Sequence, residues 1–474
     1  MRCGSHSLGS SRREQADRGF QPGGTPPRDA GRWLGCCDAR SALREWRHLV
    51  RLVGQVVDDP GPPHEYNEGA IKYVTVDLGR SEYDAYYNGF ANRTLWPLLH
   101  YRLDLVDYRR DTYRGYQRVN RAFARMLAPM INDDDLIWVQ DYHLMPLAAL
   151  LREEGVRARI GFFLHTPLPP PDLIVALPGH RALMEALTDY DLIGFQTESD
   201  RQALLDYLRT TAGATVAYDD YLTMPSGTRT LVKAIPISID RDLVSQQAMR
   251  ASQQVTVRRL RDSLMERWLV IGVDRLDYSK GLHDRFAAFG RFLERHAEHR
   301  RQTVYLQVAP TSRGEVPEYR QIRADLERQS GAVNGRFSEA DWVPLRYVNR
   351  TYTQGTLAGF YRAARVGLVT PLRDGMNLVA KEYVAAQDPE DPGVLILSTF
   401  AGAAQELESA VMVNPYDVEG VAEAIHRSLT MTLPERQRRW RDLDEVLRQW
   451  TIGHWRESYL ELLASTRGPG TDAA

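Results

Sequence analysis

The sequence predicts an α/β protein built as two doubly wound domains that face a shared cleft. Three observations lead there. From Lys72 onward, short apolar runs alternate with helical patterns, as layered α/β folds require. The runs fall into two sets, divided near Pro236–Asp240. The conspicuous polar residues stand just past the runs, where the carboxyl ends of parallel strands hold ligands.

In chain order, Leu136–Gln140, Arg159–Leu164, Leu192–Phe195 and Leu231–Ile235 read as strands of a first unit, with helical patterns at Tyr116–Met130 and Ala182–Leu187. Val270–Val273, Thr303–Val308, Val366–Thr370 and Val394–Leu397 read as strands of a second, with helices at His283–His296 and Val379–Gln387. Residues 418–465 close the chain with helical patterns, and 466–474 form a tail. The expected division is 55–238 for the first domain and 239–465 for the second, with its closing helices. Residues 1–54 differ in composition, since all three cysteines (Cys3, Cys36 and Cys37) lie there.

Composition removes several function classes. A length of 474 residues allows two or three domains with sizeable cores. The formal net charge of −2 gives no global field for nucleic acid or an anionic membrane. There is no apolar run of about 18 residues and no leader with a small-residue cleavage site, so a cytoplasmic location is expected. With no cysteine after residue 37, the body carries neither a disulfide scaffold nor a cysteine zinc site. No G-x-G-x-x-G fingerprint and no G-x-x-x-x-G-K-[ST] loop is present, which weakens a dehydrogenase or an NTPase.

Among the strand-end residues, RDGMNLVAKE (Arg373–Glu382) is the most informative stretch. A strand, a loop holding Asp374 and Gly375, and a helix opening near Asn377 aim backbone N–H groups at a point that can receive phosphate. Arg275 and Lys280, on the loop after Val270–Val273, suit a diphosphate better than a solvated face. Asp141 and His143 follow the first strand; Asp141 alone caps a helix as readily as it meets a ligand. His165, ahead of a proline-rich turn, is in isolation more often a turn or core residue, and Arg313 could merely pair with a carboxylate. Glu382, one to two turns into its helix, is either a surface residue or an acceptor for sugar hydroxyls. His143 and His165 lack a third ligand at suitable spacing, so no metal site is named.

WVQDYHLMP (Trp138–Pro146), GFFLHTPLP (Gly161–Pro169), DYDLIGFQT (Asp189–Thr197), DRLDYSKG (Asp274–Gly281), APTSRG (Ala309–Gly314) and TPLRDGMNLVAKEYVAAQ (Thr370–Gln387) together resemble the trehalose-6-phosphate synthases, retaining glycosyltransferases of family 20. The resemblance runs from about Tyr73 to about Thr430. It implies two Rossmann-like domains of GT-B type and transfer of glucose from a nucleotide-glucose to glucose 6-phosphate. It also implies no cofactor and no metal. UDP, GDP and ADP stay open as the nucleotide, as does a homo-oligomer. Carried over by position, Arg275 and Lys280 hold the donor diphosphate, while Asp374, Gly375, Met376, Asn377, Leu378 and Glu382 hold donor sugar and ribose. Asp141 and His165 face the reacting glucose, and Tyr87, Trp96, Asp141 and Arg313 bind the acceptor, with Arg313 on its phosphate. Without the resemblance, Tyr87 and Trp96 in YYNGFANRTLWP would be read as core. Retention elsewhere often proceeds through a covalent carboxylate intermediate; this resemblance instead implies front-face attack, with the leaving diphosphate helping to take the acceptor's proton.

Residues 1–54 depart from the family pattern, which opens with a strand ending in S-N-R, then GGL, then GIWFGWSG. RWLGCCDA (Arg32–Ala39) can be encoded so that reading from the second base gives GGLAVAM, and RHLVRLVG (Arg47–Gly54) so that the same shift gives GIWFGWS. The expectation is a shifted reading frame or a disordered segment. Its rival is a divergent extension in which Ala39–Val57 forms an amphipathic helix with Leu43, Trp46 and Val50 on one face. As written, the chain should lack the opening strand of its first sheet and part of the acceptor wall. Two alternative functions follow: transfer to another phosphorylated acceptor such as glycerol 3-phosphate, or a non-catalytic member that binds sugar phosphates.

Overall fold

The computed structural model describes residues 48–69, 71–217, 220–311 and 317–466. Two six-stranded sheets dominate, as the alternation of runs requires. The first has strands β4 (Leu136–Gln140), β5 (Arg159–Phe163), β6 (Leu192–Phe195), β7 (Thr215–Val216), β8 (Tyr221–Thr223) and β9 (Arg229–Ala234). Their spatial order is β4-β5-β6-β9-β8-β7, parallel except for the short β7 and β8. The second has β10 (Trp268–Val273), β11 (Thr303–Val308), β12 (Leu345–Val348), β13 (Val366–Val369), β14 (Val394–Ser398) and β15 (Val411–Val413), in the order β12-β11-β10-β13-β14-β15 and parallel throughout. Every residue of β11, β13 and β14 is buried, because helices cover both faces of a parallel sheet. That is why these strands read as unbroken apolar runs rather than alternating ones.

In the second sheet the chain winds outward from β10 through β11 and β12, then returns to place β13 on the other side of β10. The loops after β10 and β13 therefore diverge above the crevice where an open α/β sheet binds ligands. These are the loops of DRLDYSKG and TPLRDGMN.

The amino-terminal part differs from the helical alternative. Residues His48–Val57 form β1, which pairs in parallel with β3 (Ile71–Gly79), and β2 (His64–Glu68) pairs antiparallel on the other side of β3. Val50, Val53, Val56 and Val57 favour a pleated strand over a helix, and a paired neighbour settles the competition. Residues 32–39, where the expected frame shift would place its first motif, lie outside the described residues. Among the described residues β4 is the end strand of the first sheet, and no earlier strand joins it.

The segment between the sheets is fastened by its carbonyls. Lys381 Nζ donates to Ile237 O at 2.8 Å, Trp455 Nε1 to Ile235 O at 3.1 Å, and the Ile452 amide to Ile239 O at 3.1 Å. The last helix, Ile452–Ser465, follows the second sheet in sequence yet packs on the first. Tyr459 stacks on Trp138 at 4.1 Å, worth about 1 kcal/mol beyond the buried area, and its hydroxyl donates to Phe162 O at 3.0 Å. A Cβ on Gly161 would stand 2.4 Å from that hydroxyl, so β5 admits the helix only as glycine. No helix among the described residues is long and apolar enough to cross a membrane.

Candidate active site

The β10 loop is rigid before any ligand arrives. Asp277 caps it: its Oδ1 accepts from the Ser279 amide at 2.9 Å and its Oδ2 from Tyr319 Oη at 2.8 Å. Gly281 ends the turn at φ +64°, a conformation glycine adopts without penalty. Beneath it, Arg285 is fully buried and bonds Asp274 Oδ2 at 2.5 Å, Thr370 Oγ1 at 2.9 Å and the Lys280 carbonyl at 3.1 Å. Burial pushes the Asp274 carboxyl up and Arg285 pulls it back; removing that partner would cost on the order of 3–5 kcal/mol. One buried guanidinium thus ties β10, β13 and the cation-bearing loop together.

Across the switch point, Lys280 Nζ reaches Asp374 Oδ2 at 2.5 Å, though 94 residues separate them. Burial acts to raise the Asp374 carboxyl, but Lys280 outweighs it and holds the group below the usual carboxylate range. Asn377 Nδ2 donates to the same oxygen at 3.0 Å. Asn377 itself sits at φ +80° and caps the helix Leu378–Ala386, its Oδ1 accepting from the Ala380 amide at 3.3 Å. The first amides of any helix lack an intrahelical acceptor, and its start carries partial positive charge. Glu382 is buried one turn further in, where Gln354 Nε2 and Tyr361 Oη approach its carboxyl at 3.5 Å each. Burial pushes its pKa up to about 7, the two weak hydrogen bonds opposing.

The first domain meets this loop directly. A Cβ on Gly375 would lie 2.1 Å from the carbonyl oxygen of His165, so the two backbones touch only because residue 375 has no side chain. The His165 amide donates to Asp141 Oδ1 at 3.4 Å, and its imidazole bonds Gln140 Oε1 at 2.8 Å and Gln196 Nε2 at 3.3 Å. Burial lowers the imidazole pKa to about 4, so His165 is neutral at physiological pH. Asp141 sits at φ +71°, rare for a residue with a side chain and most often maintained at functional positions.

Tyr87 and Trp96 lie on and just after a π-helix, Asp84–Leu95. Such helices are rare, and their wide turns recur at functional sites. Trp96 is buried, so the core reading was half right; its ring lies under the Arg275 guanidinium at 5.6 Å and its Nε1 donates to Asp277 Oδ1 at 3.4 Å. Tyr87 is half-buried and stacks on His143 at 5.5 Å. The structure therefore brings Asp141, His165, Gly375, Asp374 and Lys280 into one chain of contacts, with Trp96 and Arg275 beside it. Glu382 is turned toward Gln354 and Tyr361, and Arg313 lies outside the described residues.

Three contributors escaped the sequence reading. Arg285 lies within the predicted helix His283–His296, and nothing in the local sequence marks it as buried. His100, fully buried with Nδ1 2.8 Å from Trp96 O, has its pKa lowered to about 4 by burial, against the opposing pull of Asp277. Arg373 lies over Tyr101 at 4.1 Å and Phe400 at 5.0 Å, bridging the two domains. The pair Arg102 over Tyr278, at 5.6 Å, does the same, and none of these pairings has a local sequence signal.

The family model of glycosyltransferase family 20 matches residues 33–465, a wider span than the motifs suggested. A trehalose-6-phosphate synthase of Sinorhizobium fredii is 48% identical over 409 residues, covering 86% of this chain and 88% of the relative. An alpha,alpha-trehalose-phosphate synthase (UDP-forming) from Burkholderia xenovorans, solved in complex with glucose-6-phosphate, superposes with a TM-score of 0.88 at 46% identity, covering 90% of this chain and 96% of that one. An E. coli structure described as trehalose-6-phosphate bound with UDP-2-fluoro glucose gives a TM-score of 0.87 at 42% identity, covering 96% of this chain and 98% of that one. With the motifs, both sheets and the switch-point loops in agreement, the chain belongs to glycosyltransferase family 20.

Proposed function

We propose that this chain transfers glucose from UDP-glucose to glucose 6-phosphate with retention, giving α,α-trehalose 6-phosphate. The observation that carries the reading is the convergence of two cations, a capped helix start and the Asp141–His165 pair on one point between the sheets. The ligands of the Burkholderia xenovorans and E. coli relatives supply the acceptor and donor classes. We read residues 55–238 as the acceptor-binding domain and 239–465 as the donor-binding domain, with the last helix crossing back. A cytoplasmic location belongs to the same reading, since both substrates are phosphorylated and membrane-impermeant.

In this reading Arg275 and Lys280 hold the diphosphate, the Asp374–Leu378 backbone holds the glucosyl hydroxyls, and Glu382 accepts from the ribose. Tyr87, Trp96 and Asp141 line the acceptor, and Arg313 takes its phosphate. The anomeric hydroxyl of glucose 6-phosphate attacks the donor's anomeric carbon on the face that the diphosphate leaves. The bond from that carbon to the β-phosphate oxygen breaks, its electron pair stays on the diphosphate, and the acceptor proton passes to the same oxygen. Negative charge grows on the leaving group, so fixed cations and helix-start amides stabilise the transition state more than the ground state. Neutral His165 adds no competing positive charge beside the developing oxocarbenium. Lys280 must exchange its Asp374 contact, at least in part, for diphosphate.

Purified protein incubated with UDP-, GDP- or ADP-glucose and with glucose 6-phosphate or glycerol 3-phosphate tests the reading. Release of UDP with glucose 6-phosphate, and a product with an α,α linkage by NMR, is expected. Folded protein that binds UDP-glucose yet releases no diphosphate with any acceptor would favour the non-catalytic alternative.

A further inference from the structure

At the amino-terminal end of the second sheet, away from the switch-point loops, the helix Leu282–Arg295 runs into a short turn, Ala297–His299, and packs beside the helix Val418–Thr430. Three imidazoles and two carboxylates converge there. The rings of His296 and His426 are stacked, centroids 3.9 Å apart and planes 7° from parallel. Oε1 of Glu298 lies 3.5 Å from Nδ1 of His296 and 3.7 Å from Nδ1 of His426. Nε2 of His299 lies 3.0 Å from the same His426 nitrogen. Candidate ligand atoms of His296, Glu298 and His426 all fall within 4.8 Å of one another.

These spacings suit coordination. A tetrahedral ion with bonds near 2.05 Å keeps its ligand atoms about 3.3 Å apart; both Glu298 contacts lie within a few tenths of an ångström of that, and the stacked His296 and His426 rings would turn out of their parallel planes to aim both lone pairs at one ion. Glu423 Oε2, 3.2 Å from Nε2 of His296, would hold that ring with its Nδ1 lone pair toward Glu298, the carboxylate–histidine arrangement typical of metal sites. The neighbouring Glu419 is committed to Arg291 at 2.6 Å and Arg295 at 3.0 Å and is no competitor for the ion.

We propose that His296, Glu298 and His426 bind a divalent transition-metal ion of the zinc class, with His299 as the nearest fourth nitrogen and Glu423 orienting His296. Two imidazoles and a carboxylate form a borderline-soft set that suits zinc and excludes calcium or magnesium. The ion would clip the helix that follows the Lys280–Gly281 turn to the helix Val418–Thr430. Its role is to stabilise the donor domain from the side opposite the cleft, with no part in the chemistry.

The test uses untagged full-length chain stripped with chelator, then titrated with zinc chloride in a calorimeter and with cobalt(II) in a spectrophotometer. One equivalent of tight zinc binding, a rise in Tm with zinc, and a visible cobalt band of tetrahedral intensity are expected. His426→Ala and His296→Ala should each weaken zinc binding by at least about tenfold, and Glu423→Gln by a smaller factor. Both histidines are partly exposed, so the variants should keep the wild-type far-UV spectrum; the cobalt band on unmutated protein is independent of them. Absence of zinc binding and of a cobalt band at roughly 10 µM free ion overturns the proposal. Binding undiminished in the His296→Ala/His426→Ala double variant overturns it as well, and assigns the metal to Cys3, Cys36 and Cys37 or another site.

Discussion

The proposed donor wall hangs its cations and amides on two loops at the switch point of a six-stranded parallel sheet, where Lys280 and Asp374 side chains are 12% and 14% exposed. The proposed acceptor wall carries Tyr87 on a π-helix and Trp96 just after it, behind a separate three-stranded sheet, and among the described residues β4 ends the main sheet. In the first, topology supplies the site, since any sheet that reverses its winding there leaves a crevice between two loops. In the second, an uncommon helix turn does the positioning, and neighbouring side chains must hold it. The donor wall should therefore fail chemically when one charge is removed, whereas the acceptor wall should fail gradually.

Arg275→Ala tests the donor side most severely. A loss of kcat on the order of 10³-fold is expected, the scale of removing one group that stabilises developing negative charge. Steady-state kinetics with an unchanged kcat would remove Arg275 from the diphosphate site. Gly375→Ala probes the seam between the walls. The added Cβ meets the His165 carbonyl, so the domains must part slightly, and kcat/KM should fall about a hundredfold while the far-UV spectrum stays native. Retention of wild-type turnover would mean the seam is looser in solution than the contact implies.

Glu382 sharpens the comparison through pH. Its folded pKa, near 7, lies above the ordinary value of 4.5. Below about 4.5 the group is protonated in both folded and unfolded chains and contributes nothing to pH dependence. Between there and pH 7 the unfolded chain gives up its proton more readily, so stability falls as pH rises, then levels off. Glu382→Gln should flatten that fall in urea titrations at several pH values, and should abolish the decrease in donor KM expected as the carboxylate ionises. Trp96→Phe is the mildest change. It keeps the ring beneath Arg275 but loses the bond to Asp277, so a loss of about 1 kcal/mol, or several-fold in kcat/KM, is expected. A thousandfold loss would show that the acceptor wall is as brittle as the donor wall.

Sequencing the gene across codons 30–56 bears on the same contrast. If GGL and GIWFGWS are encoded in the second frame, restoring that frame should raise turnover by rebuilding the acceptor wall. If neither is encoded, β1 is native to this chain, and the three-stranded sheet is its own solution for that edge.

Chain chemistry alone determined the long central strands and the helix start, but not the short or edge strands β7, β8, β12 and β15. The strands β4, β6 and β11 coincide with their predicted runs; β6 and β11 are buried along their whole length, as strands covered on both faces are, whereas β4 is an end strand with Leu136 exposed. A helix start near Asn377 was legible, and the structure makes Asn377 its cap, a residue that can both accept from the first turn and tolerate a left-handed backbone. The left-handed Asp141, the π-helix, the buried Arg285 anchor and the touch of Gly375 on His165 were not legible. Each exists only once segments far apart in sequence are packed together, and local propensity carries no record of such neighbours. For the same reason the loops of Lys280 and Asp374, 94 residues apart, form a single site: the return of β13 to the side of β10 is a property of the sheet, which no single segment encodes.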